Sequence, residues 1–267
     1  MRKVLVLIVL VIAGLASGQN ANAATIWVSP NASGPVPGLS CNNAGYATIQ
    51  AAINAANAGD NVSVCPGTYI ENITINKANL TVSSTGGFGV TIIRAAVTNS
   101  VVTVTGVNAT LAGFTLVPLG SAAKYDIGVN VAIAGNASTE IANNYIRGGR
   151  IGVNLGCSSS GSTVYHNNVR GATEAGINID TCEIAPTYPG STFNSVHHNT
   201  VCGGTFPYSI AGGQGSDFNS VHHNVARWIT LFGDGNIVHN NTAQQFDIVA
   251  GNPANVTFNN TAAPVCP

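Results

Sequence analysis

Three charged residues recur at a fixed step. Asp126, Arg150 and Glu174 each stand two positions ahead of a Gly-Val/Ile-Asn element, at Gly128, Gly152 and Gly176. A constant step of 24 residues stacks them acid, base, acid when each step is one turn of a repeating structure. A guanidinium can grip a carboxylate through two parallel hydrogen bonds, and a nearby carboxyl can move a proton. That chemistry suits a uronic acid, with Arg150 on the substrate carboxylate and Asp126 or Glu174 as general acid or base. The same trio also serves as a surface ion-pair ladder, worth at most about 1 kcal/mol per pair. Arg147, Arg170 and Arg227 share another register, six residues after Ile141, Val164 and Val221. An arginine column fits a polyanionic glycan or a solvated edge. Asp180, two residues after Asn178, and Trp228, beside Arg227, complete the substrate-binding candidates.

All six histidines fall in or beside a second repeat. His197, His222 and His239 occupy one column; His166, His198 and His223 occupy the next. Stacked strands lie about 4.8 Å apart, so facing imidazoles could take copper or zinc. His197, His198, His222 and His223 are the metal-ligand candidates. A polar column at a turn explains them equally, since Tyr165 and Thr257 read as members of the first column. The cofactor is unknown from sequence: none is required, and calcium, copper and zinc stay open.

The elements that position these groups follow from composition. Charged residues are 7% of the 267, where a globular domain carries roughly 25%. Asparagine takes their place, with 32 residues, beside 31 glycines. An apolar share of 45% excludes a disordered tail, and a net charge of -1 argues against a nucleic-acid binder. β-Branched residues punctuated by Asn and Gly describe short strands and many turns.

Residues 1–23 read as a signal peptide. Arg2 and Lys3 precede an apolar run from Val4 to Leu15, and Ala21-Asn22-Ala23 fits a small-x-small cleavage site. The run is short for a membrane span, and no later stretch is long enough. The mature chain, 24–267, is expected to be exported, secreted or periplasmic, and a monomer. Six cysteines remain, an even number that suits disulfides in an exported protein. Cys157 and Cys182 sit at nearly matching places after Gly152 and Gly176, which favours their pairing. Cys41 and Cys65 flank the one good helix candidate, and Cys202–Cys266 follows by elimination.

The second repeat is Val/Ile, two variable residues, Asn. It begins at Ile141, Val164, Val196, Val221, Val238 and Val256, with steps of 23, 32, 25, 17 and 18. Irregular repeats of this length, without helical periodicity, indicate a solenoid. The reading is all-β, one domain: a parallel β-helix whose coils bury apolar faces only by stacking. The repeated Asn is expected at a tight turn with positive φ, its amide bonding to the Asn one coil away. Residues 48–58 are expected as a helix that caps the N-terminal end, with Thr48 as N-cap, followed by a strand over 61–65 and a turn over 66–69.

The run YATIQAAINAANAGDNVSVCPGTYIENITI, from Tyr46 to Ile75, resembles the opening coil of right-handed parallel β-helix proteins of the pectin-lyase-like superfamily. NSVHHNTV, NSVHHNVA and NIVHNNTA resemble the repeats of NosD-type and related β-helix-repeat proteins. The resemblance spans nearly all of the mature chain and implies the fold rather than one activity, since the superfamily includes lyases, esterases, galacturonases, epimerases and proteins without known catalysis. The aspartate cluster of pectate lyases is missing, as is the Asp-Asp pair of galacturonases; the methylesterase pattern fails beyond the first coil. The partner implied is an acidic polysaccharide or cell-surface glycan, bound or processed on one solenoid face. A non-catalytic surface module and a periplasmic metal-associated protein are the other two readings.

Overall fold

The computed structural model describes residues 23–120, 125–179, 190–202, 208–251 and 253–266. Strands of three to five residues are too short to stand alone, and here each pairs with its counterpart one coil away. Ten parallel strands form the first wall, from Thr25–Val28 through Glu140–Ala142 to Val256–Phe258. A 15-stranded sheet forms the second and third walls. One coil shows the path: Glu140–Ala142 on the first wall, Tyr145–Arg147 on the second, Ile151–Leu155 on the third. Thr163–Tyr165 then begins the next coil, opposite Glu140–Ala142. The middle residue of each three-residue first-wall strand up to Ile237–His239 points inward. Leu111, Ile141, Val164, Val196, Val221 and Val238 follow one another in register and are fully buried. They line a single core that runs the length of the solenoid. This is a right-handed parallel β-helix, nearly all β, with one short helix.

The asparagine excess has a structural origin. At the corner after the first wall, Asn144, Asn167, Asn199, Asn224, Asn241 and Asn260 form a ladder of side-chain bonds. Each Nδ2 donates to the next Oδ1 at 3.0–3.1 Å. Each backbone N–H donates to that same Oδ1, at 2.9–3.0 Å. From Asn144 to Asn241 the amides are buried and hydrogen-bonded, which is what makes polar side chains tolerable there. The expected turn conformation falls elsewhere: positive φ belongs to the residue before each ladder member, at Asn143, His166, His198, His223, Asn240 and Asn259. The ladder residue must keep its amide aimed along the axis, so its neighbour makes the turn. A second ladder, Asn194, Asn219 and Asn236, runs at the corner that leads into the first wall. The sequence reading had missed it.

The last repeat is shifted by one. Val238 pairs with Thr257 and His239 with Phe258, so the ladder ends on Asn260, not Asn259. The Gly-Val/Ile-Asn register holds: Val129, Val153 and Ile177 pair in turn on the third wall. Its glycines are steric. A Cβ on Gly152 would lie 2.4 Å from the Gly176 carbonyl oxygen and 2.4 Å from Val169 Cγ1.

The cap helix spans Ile49–Ala55 and stops earlier than expected, at Ala56. Thr48 accepts from Ala51 N–H at 3.3 Å, and the Glu71 carboxylate accepts from Ile49 and Gln50 N–H at 2.8 and 3.0 Å. Ile49, Ala52 and Ile53 close the N-terminal end of the core. The expected turn at 66–69 is instead a strand, Gly67–Ile70, because it pairs with Thr91–Arg94. Cys41–Cys65 and Cys202–Cys266 are disulfides. Cys157 is disulfide-bonded, and Cys182 lies outside the described residues. The segment 1–23 lies there too, except Ala23, and so does Asp180. Among the described residues no helix is long and apolar enough to cross a membrane.

Candidate functional site

The acid–base–acid register is real, but the three side chains part company. Arg150 N–H donates to Asp126 O and Glu174 N–H to Arg150 O, so the backbones stack as the step of 24 implies. Arg150 and Glu174 pair through their side chains, on a partly exposed surface. Asp126 turns inward and has no exposed surface; its Oδ1 accepts from Leu119 N–H at 3.1 Å. The expectation of three groups on one outer face is therefore corrected to two. A single strand register fixes where a backbone lies, but the loop from Leu119 supplies an N–H that draws Asp126 in.

Arg147 pairs in register with Arg170, and both are exposed. The next member of that column is Cys202, whose disulfide to Cys266 interrupts it. Arg227 resumes the column one coil later, since Val201 pairs with Ala226. Arg94 belongs to the same column, through Val117, and was missed because it precedes the recognisable repeat. Every arginine after Arg2 thus lies in this column or, for Arg150, at the turn that follows it. The result is a cationic edge between the second and third walls. Arg170 Nε donates to Asn168 Oδ1 at 3.1 Å, which braces the side chain along the strand. Trp228, half-buried, follows Arg227 on the long strand Val225–Leu231. Tyr125 is 59% exposed near the same edge.

The histidine columns occupy a different place, the corner between the first and second walls. Tyr165, His197, His222, His239 and Phe258 stack as one ladder of rings, with centroids 4.7–5.2 Å apart and interplanar angles of 13° or less. Phe258 replaces the expected Thr257 because of the one-residue shift. His198 and His223 stack beside them at 4.8 Å, parallel, with His166 tilted at the end. Within each coil the two columns meet edge-on. His197 Nδ1 lies 3.0 Å from His198 Nδ1, and His222 Nδ1 lies 2.9 Å from His223 Nδ1. Burial, reinforced by His197, His239, His223 and His198, pushes the His222 pKa down to about 4. Burial and neighbouring imidazoles also lower that of His197. These rings are neutral at pH 7 and keep lone pairs for a proton or a cation. The Tyr165 hydroxyl bonds to Glu140, which raises its pKa.

No family model and no curated protein matches the chain. Solved structures do. An alginate lyase from Paenibacillus sp. str. FPU-7 superposes with a TM-score of 0.59 at 16% identity, over 82% of this chain and 76% of the lyase. The pectate lyase Pel9A gives 0.58 at 17% identity, over 88% of this chain and 73% of the other. At that identity the likeness concerns architecture. From the stacked walls, the capped core and these superpositions together, the chain has the pectin-lyase-like, right-handed parallel β-helix fold.

Proposed function

We propose that the protein is an exported binder of an acidic, uronate-containing polysaccharide, held along the arginine edge. The observation that carries this reading is the placement of Arg94, Arg147, Arg150, Arg170 and Arg227 on one edge of a chain with few charges. A linear polyanion repeats carboxylates along its length, and a solenoid repeats guanidiniums along its axis. Coils about 4.8 Å apart bring several of each within reach at once. An alginate lyase and a pectate lyase share this architecture. The disulfides agree with an oxidising compartment, and residues 1–23 would direct the chain there. In a catalytic version of this reading Arg150 takes the substrate carboxylate and Glu174 the proton; Asp126, being buried, takes no part.

The test is titration of the mature chain with polygalacturonate and alginate against a neutral glucan. Expected is binding of the uronates alone, weakened at least roughly tenfold in Arg147→Ala/Arg170→Ala and falling with salt. Equal binding of the neutral glucan, or no loss in the double variant, would overturn it. New ultraviolet absorbance from unsaturated uronate in the same mixtures distinguishes elimination from binding.

A further inference from the structure

The two ends of the solenoid are unlike. The cap helix covers the N-terminal end, where Ile49, Ala52 and Ile53 are buried. At the C-terminal end the inward columns run out in the open. Buried Val238, Ala243, Ile229 and Leu231 are followed in register by Thr257, Ala262, Phe246 and Ile248. Thr257 and Ala262 are exposed, and Phe246 and Ile248 are only half-buried. Phe246, Ile248, Thr257 and Asn260 line a hollow at this end. Residues 263–266 do not fold over it. Cys266 is held by its disulfide to Cys202, three rungs back along the second wall. Exposed edge strands are commonly guarded by charge or by proline. The run from Val256 to Ala262 holds neither.

We propose that this end docks on the same end of a second copy and forms a closed two-fold dimer, in place of the monomer expected from sequence. The last first-wall strand, Val256–Phe258, sets the register. Val256 N–H donates to Asn236 O, and Phe258 O accepts from Asn240 N–H, so both residues are engaged with the preceding coil. Strand groups alternate in direction, which turns the N–H and C=O of Thr257 toward the open end. A two-fold axis at Thr257 lets it exchange both bonds with its own copy, as an antiparallel pair does. Val256 of each copy then stands opposite Phe258 of the other. These side chains are 51% and 45% exposed, and a β-branched side chain against an aromatic ring is a favourable cross-strand pair. The pair occurs twice about the axis. Only a coil end of the same section meets all three walls at once; a single added strand covers one. The cap helix blocks the head-to-tail alternative, which would stack copies without closure. The last coil, from Thr242 to Ala262, brings about 20 residues, the number a standard interface uses on each side. The arginine edges of the two copies then lie end to end and offer one polyanion twice the length, a consequence that rests on the glycan reading, as the dimer itself does not.

The test is sedimentation equilibrium of the mature chain, without glycan, beside two charged variants. Expected is a dimer of the parent. Dimerisation should weaken at least roughly tenfold in Val256→Lys/Phe258→Lys and in Val256→Glu/Phe258→Glu, since each sets like charges opposite one another twice. An equimolar mixture of the two variants should recover the dimer, because Lys then meets Glu at both pairs. Both positions lie on the outside of the strand, so the inward column is the same in each variant, and the recovery itself shows that both fold. A parent still monomeric at on the order of 100 µM would assign the end to some other partner. Assemblies longer than two would assign it to the N-terminal face, and a dimer indifferent to the charges would place the contact elsewhere. Any of these, or a mixture that stays monomeric, overturns the proposal.

Discussion

Arg150 and Glu174 pair across adjacent coils, and that contact divides the edge into a neutralised part and a cationic part. Arg94, Arg147 and Arg170 have no carboxylate partner among the described residues. Glu174 is 48% exposed at its side chain, so the pair contributes little to stability. Glu174→Gln should change unfolding free energy by less than about 1 kcal/mol. It should also remove a competing negative charge from the edge and tighten polygalacturonate binding several-fold at low salt. Calorimetry at two salt concentrations checks this, and weaker binding would assign Glu174 to the ligand rather than against it.

Gly152 tests the packing of the second wall against the third. An added methyl meets a backbone oxygen, which cannot rotate away, and Val169, which is buried. Gly152→Ala should cost about 3 kcal/mol, seen as a lower urea midpoint with an unchanged slope. Gly59→Ala has nothing near its Cβ but has φ of 88°, so its smaller loss would reflect backbone strain alone.

Asn199, like Asn167 and Asn224, has an amide with both ends fully used in the corner ladder. It receives Asn167 N–H and Nδ2, and donates to Val164 O, His197 O and Asn224 Oδ1. Asn199→Ala should cost about 2–3 kcal/mol by leaving those groups unpaired. Asn199→Asp should cost more, because it removes both donors and buries a charge. Chemical denaturation of the two variants gives the order.

Acid should loosen the histidine corner. The unfolded chain protonates His222 near its ordinary value of 6.5, and the folded chain only near 4. Between those values the unfolded state binds more protons, so stability falls as pH drops through that window and levels off below it. His222 is partly exposed, so screening reduces the effect to on the order of 1 kcal/mol. Melting curves from pH 7 to pH 4 should show a decline that is smaller in His222→Asn.

The architecture was legible because its cause is periodic. Ile141, Val164, Val196, Val221 and Val238 announce one inward column, and Asn144 to Asn241 the corner behind it. Gly128, Gly152 and Gly176 fixed a second register without ambiguity. What escaped the sequence was set by contacts outside the period. Val256 imitates the repeat, yet pairing with Ile237 shifts the last coil by one. Asp126 keeps the register but turns inward to the N–H of Leu119. Arg94 joins its column only through Val117, whose side chain carries no charge to mark it. The histidine columns were visible as spacing, but the edge-on meeting of His222 with His223 depends on the positive φ of His223, which no pattern of residue types encodes.

The two asparagine ladders and the ring ladder share one step of 17 residues, from Asn219 to Asn236, His222 to His239 and Asn224 to Asn241. That makes the coil a unit of inheritance as well as of structure. Loss of residues 220–236 would join Asn219 directly to Ile237 and leave every column in register, one rung shorter. Duplication would add a rung by the same splice. The length of such a molecule changes in whole coils, and a genetic slip of that size preserves the walls where a slip of one residue would turn each inward valine to solvent.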